Sequence, residues 1–115
     1  MQMESKTDSY KIGVGHMKEH MPGMVEAYHG FTGSCFAPGA LEEKQKQLIA
    51  LGIALYVNNE VCTMYHVEEA LSKGASKQEV LEAMAVAAAV GSGHILSQGV
   101  TRVQQALGSL TYGKQ

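Results

Sequence analysis

Cys62 and His66 stand four residues apart in the stretch "NNEVCTMYH". On a helix that spacing puts both side chains on one face, one turn from each other. A thiol beside an imidazole can act as a nucleophile, with the ring favouring the thiolate that attacks. Asn59 is a good helix N-cap, which would make Cys62 the third helical residue. Amide N–H groups at that position lack intrahelical partners and the helix dipole is positive, so both effects favour a thiolate. The bland alternative is an inert packed sulfur, because cysteine is among the most buried residue types.

The histidines raise a second chemistry. His16 and His20 have a helical two-ligand spacing, and His29 follows at a distance. Zinc wants three or four ligands with a fixed second shell, so this pair is a weak metal candidate. His94 is another weak candidate. It opens a helix after "GSG" and could approach Cys62 and His66 in a bundle, or sit exposed at a loop end. Glu69 lies three residues past His66 and could bond its ring, although adjacent Glu68 and Glu69 more often form a solvated pair. No phosphate loop is present, and a lone Asp in the polar N-terminal stretch supports no Ser-His-Asp set. No cofactor is implied.

The chain has 115 residues, net charge −2 and 45% hydrophobic residues, which suits one domain, 1–115, with a real core. There is a single Arg, Arg102, and no basic stripe, so nucleic acid is not an expected partner. No apolar run is long enough to span a bilayer, and the polar start is unlike a signal peptide. A cytoplasmic protein with reduced Cys35 and Cys62 is the expectation.

The elements that must position these residues read as helices. Residues 1–14 form an expected flexible lead-in. Met17, Met21, Met24, Tyr28 and Phe31 recur at helical spacing, with Pro22 marking a break and a fresh first turn. "GFTGSCFAPGA" reads as a loop carrying Cys35. Leu41 to Val57 is a helix with Leu41, Leu48, Leu51 and Leu55 inward and a fully buried second half. The next helix runs from Asn59 to about Lys73 and closes at a left-handed Gly74. Ser76 and Glu79 form a capping box for the helix that carries Val80, Leu81 and Met84. The last helix, about His94 to Leu107, turns Leu96, Val100, Val103 and Leu107 inward. The fold class is all-α, with five or six helices.

Two stretches carry a family resemblance. "LEEKQKQLIALGIAL" and "VNNEVCTMYHVEEALSKGASKQEVLEAM", followed by "VGSGH", resemble the carboxymuconolactone decarboxylase and alkylhydroperoxidase D superfamily. The string His-x-x-x-Ala-Leu-x-x-Gly-Ala-Ser-x-x-Glu is the most specific part, and the likeness covers Leu41 to Leu107. The resemblance implies an all-α fold with a central helical hairpin. It also implies a homo-oligomer, trimer or hexamer, acting on a small-molecule substrate. In the hydroperoxidase branch an acid, two cysteines and a histidine form a redox relay. Matched position by position, the histidine is His66 and the peroxide-attacking cysteine is Cys62. The partner cysteine falls on Asn59, and the acid falls on Gln47. No local disulfide can form with asparagine at 59, and Gln47 can hydrogen-bond but not relay a proton as an acid.

Three readings follow. One is a thiol-dependent peroxidase whose Cys62 sulfenic acid is resolved by an external thiol, by Cys35 or by a second subunit. Another is a decarboxylase-like acid–base enzyme using His66, alone or with His94, on a carboxylated ligand; cationic groups would be expected in its pocket. The third is a redox-inactive oligomer that binds a small ligand.

Overall fold

The computed structural model describes residues 6–112, with side chains up to Gly108. Every element among them is helical. In order they are α1 (Lys6–His20), α2 (Pro22–Phe36), α3 (Glu43–Tyr56), α4 (Glu60–Ser72), α5 (Lys77–Gly91) and α6 (Gly93–Gln98). A π-helical turn, Gly99–Val103, joins α6 to α7 (Gln104–Tyr112), so the last three segments form one rod and the described residues make six rods. The central hairpin is α3 packed on α4.

The hairpin is built by local chemistry. Asn59 is the N-cap of α4, and its side chain accepts the N–H of Cys62 at 2.9 Å. Asn58 takes a left-handed φ of 60°, a conformation asparagine tolerates better than most residues. Its Oδ1 accepts from Arg102 at 2.7 Å, so the one arginine pins the hairpin turn to the last rod. Gly74 adopts φ 101° after α4, where a side chain would be strained. Ser76 and Glu79 cap α5 reciprocally, as expected. A second capping box, Glu42 with Gln45, opens α3 two residues later than expected and leaves Leu41 outside the helix.

The core lies where α3, α4, α5 and the last rod meet. Leu51 and Leu55 pack with Val67, Val80, Ile95 and Val103, all essentially without solvent contact. Each such side chain contributes about 1.5–3 kcal/mol by leaving water.

Four expectations are corrected here. The lead-in expected over 1–14 is helical over 6–14, and its residues 1–5 lie outside those described. Tertiary contacts supply what local pattern lacks, since Thr7 is buried and donates to Glu68 at 2.8 Å, and Lys6 pairs with Glu60. The glycine-rich stretch is helix as far as Phe36, despite Gly30 and Gly33, so Cys35 is a helical residue. Lys46 donates to the carbonyls of Cys35 and Ala37 and satisfies that helix end.

The second half of α3 is not fully buried. Ile49, Ile53 and Tyr56 are more than half exposed on a face that α5 extends with Val86 and Val90. Leu96 and Val100 also point outward. The π turn adds one residue to its turn and shifts the phase, so Gly99 and Ile95 face inward in place of Val100 and Leu96. Gly99 fits there because Met84 lies against it, with Sδ 2.5 Å from where a Cβ would sit.

Candidate active site

Cys62 and His66 share one face of α4 and line one cleft of about 580 Å³. Gln47, buried on α3, also lines it. Its Oε1 lies 2.7 Å from His66 Nδ1. An amide oxygen only accepts, so with the amide as placed Nδ1 carries the ring proton and Nε2 keeps its lone pair. His66 stacks on Phe36, with ring centroids 5.9 Å apart and planes 14° apart, and meets the edge of Tyr65 at 5.1 Å. Burial among these groups pushes the His66 pKa down, which holds the ring neutral at neutral pH. The helical extension of α2 to Phe36 is what supplies the stacking partner.

Asn59 sits at the start of α4 and spends its side chain on the Cys62 amide, while its backbone carbonyl accepts from both the amide and the hydroxyl of Thr63. It therefore orients the first turn that carries the sulfur. No thiol stands near Cys62 along its own helix turn, and both cysteines are free. Cys35 is exposed near the end of α2 and is not part of the cleft wall.

The structure separates the other histidines from this centre. His94 Nε2 donates to the carbonyl of Tyr56 at 3.1 Å and does not line the cleft; of its two expected placements it takes the exposed one at the start of α6. His20 Nδ1 bonds the carbonyl of His16 within α1. Among the described residues no three His, Cys, Asp or Glu side chains gather as a metal-ligand set, so the weak candidates His16, His20 and His94 are not brought together. Glu69 lines the cleft but does not hold the His66 ring; Gln47 does. Glu68 is not a solvated partner of Glu69, because it accepts from Thr7.

Sequence reasoning missed the wall opposite. Tyr10, Lys11 and Val14 of α1 and Tyr28 of α2 face the cleft with Tyr65. Lys11 Nζ lies 5.8 Å over the Tyr65 ring, a cation–π distance. Partial burial, Tyr28 and Cys62 raise the Tyr10 pKa, and burial followed by the nearby Glu69 charge raises that of Tyr65. Both phenols are protonated at neutral pH. The sequence held only a weak signal, since Thr7, Tyr10, Lys11 and Val14 fall at i, i+3, i+4 and i+7 but form a largely polar stripe.

A second, apolar groove of about 490 Å³ runs between α3 and α5, lined by Ile49, Ile53, Tyr56, Val86 and Val90 among others. No helix among the described residues is long and apolar enough to cross a membrane.

Comparison with known proteins accords with this architecture. An uncharacterized protein of the cox locus of Paracoccus denitrificans is 35% identical over 68 residues, or 59% of this chain; the match spans 61% of that relative's length. A carboxymuconolactone decarboxylase family protein from Legionella pneumophila has the same fold, with TM-score 0.82 at 22% identity over 86% of this chain and 88% of its own. A protein of that family from Thermotoga maritima, for which a part in an antioxidative response has been suggested, aligns with TM-score 0.75 at 21% identity. That alignment covers 96% of this chain and 91% of its own. The family model for carboxymuconolactone decarboxylases matches residues 22–110, which take in both helices of the hairpin and the cleft residues they carry. With the fold and the sequence match in agreement, this chain belongs to the carboxymuconolactone decarboxylase family.

Proposed function

We propose that the protein is a thiol-dependent oxidoreductase of alkylhydroperoxidase type, with Cys62 as nucleophile and His66 as its base. The observation that carries this reading is the 2.7 Å contact between Gln47 Oε1 and His66 Nδ1 in the cleft that Cys62 lines. A neutral ring with Nδ1 occupied offers Nε2 to the thiol proton. The thiolate then attacks the outer oxygen of a hydroperoxide. A sulfur–oxygen bond forms, the O–O bond breaks, and the products are a sulfenic acid on Cys62 and an alcohol. An external thiol condenses with the sulfenic acid, releasing water, and a second one regenerates Cys62 as the disulfide leaves. Asn59 supports this one-cysteine form because it caps α4 where a resolving thiol would stand.

Dimedone labelling after peroxide treatment tests the reading. The expected adduct is on Cys62, and it is strongly reduced in His66→Ala. Labelling confined to Cys35 would contradict it.

A second reading has its own support. Lys11 and Lys73 line the cleft, and they are the kind of cationic groups that a carboxylated substrate needs. In that reading His66 Nε2 is an acid–base group acting directly on the ligand, and Cys62 is dispensable.

The exposed α3–α5 groove bears on assembly. We propose that a second copy of the chain covers it, in line with the oligomers that the family resemblance implies. Its wall is aliphatic apart from Tyr56, and Val90 is 83% exposed in the single chain.

A further inference from the structure

Helix α1 lies outside residues 22–110, the stretch matched to the family, yet it forms one wall of the cleft. Its docked face is Thr7, Tyr10, Lys11 and Val14. Only Thr7 of this face is buried, while Tyr10 and Lys11 stay open to the cleft. The face carries a hydroxyl, a phenol and an ammonium. Two tethers hold this face in place: Lys6 pairs with Glu60 at the start of α4, and Thr7 donates to Glu68 two turns on. Cys62 and Tyr65 lie between those anchor points, and Tyr10 is one turn past Thr7. Tyr10 and Cys62 line the same cleft, Tyr10 from α1 and Cys62 from α4.

The thiol chemistry needs a proton on the far side of the broken O–O bond. His66 has taken the proton of Cys62 and sits on α4 beside the sulfur. The alkoxide leaves into the rest of the cleft, where phenols line the opposite wall.

We propose that Tyr10 is a catalytic residue that protonates the leaving oxygen when Cys62 attacks a hydroperoxide. The inference rests on the thiol reading given above. The Cys62 thiolate bonds to the outer oxygen of R–O–OH, the O–O bond breaks, and the departing RO⁻ takes the Tyr10 proton to become ROH. Cys62 is left as a sulfenic acid. The Tyr10 phenolate regains a proton from the imidazolium of His66, which holds the one it took from the thiol. The sum is a thiol and a hydroperoxide giving a sulfenic acid and an alcohol.

Single-turnover kinetics test this in a Cys35→Ser background, so that Cys62 is the only thiol. Tyr10→Phe removes the hydroxyl alone at a partly exposed position. The rate with an organic hydroperoxide is expected to fall about 10- to 100-fold. The rate of alkylation by iodoacetamide is expected to stay within about twofold, because iodide leaves without a proton. An unchanged peroxide rate overturns the proposal, and so does an equal fall in both rates, which marks a structural role. Failure of the thiol reading is distinct from either: Cys62→Ser would then turn over peroxide as well as the parent.

Discussion

Gln47 reaches across from α3 to hold His66 of α4, its Oε1 2.7 Å from Nδ1, and so joins the two halves of the central hairpin at the floor of the cleft. The ring's tautomer depends on this contact, and Phe36 and Tyr65 help to orient it. Gln47→Ala leaves a half-buried N–H without a partner and is expected to cost about 1–3 kcal/mol of stability, read from urea unfolding. Gln47→Glu places a carboxylate against the ring and is expected to raise the His66 pKa, read by NMR titration. An unmoved His66 resonance in that variant would show that the pair does not form in solution.

The acid limb of stability follows from His66. Its folded pKa lies below the unfolded value of 6.5 because burial disfavours the charged ring. At high pH both states are neutral and the contribution is fully present. As pH falls through 6.5 the unfolded chain takes up a proton that the folded chain refuses, so stability is lost until the folded pKa is passed. The melting temperature is expected to fall between about pH 8 and about pH 5, and His66→Gln is expected to flatten that slope. An identical slope in the variant would assign the effect elsewhere.

Asn59 occupies the place where the resemblance puts a partner thiol, and it caps α4 instead. Asn59→Ala is expected to cost about 1 kcal/mol through the lost cap. Asn59→Cys weakens the cap by a similar route but supplies a thiol one turn from Cys62. On peroxide treatment that variant is expected to lose two thiols per chain by Ellman titration. Loss of none would show that Cys62 does not oxidise.

The apolar face of α3 and α5 gives a prediction about assembly. Val86→Glu puts a charge into the groove of Ile49, Ile53 and Tyr56 without touching the core. Light scattering coupled to gel filtration is expected to show an oligomer for the parent chain and a smaller species for the variant. A monomeric parent at micromolar concentration would contradict the proposed self-association.

The features legible in advance are those set by a few neighbouring residues. Asn59, Ser76 with Glu79, and Gly74 each stop or start a helix through their own side chain or its absence, and the structure places them so. Pro22 likewise opens α2. What escaped depends on contacts between distant segments. The first described turn of α1 is held through Lys6 and Thr7 by Glu60 and Glu68, which lie more than fifty residues away. The phase of the last rod changes at a π turn that makes room for Met84, and nothing in the local pattern announces it. The exposed half of α3 reads as core because an exposed apolar face has the same composition as a buried one. Gln47 was matched to the family's acid position by resemblance, and its contact with His66 is a fact of the folded hairpin.

The most direct measurement is hydroperoxide turnover with an external thiol as reductant, compared across the parent chain, Cys62→Ser and His66→Ala. The thiol account predicts that Cys62→Ser abolishes turnover and that His66→Ala lowers it about 100-fold, the scale of a lost general base. Undiminished turnover in Cys62→Ser would contradict it.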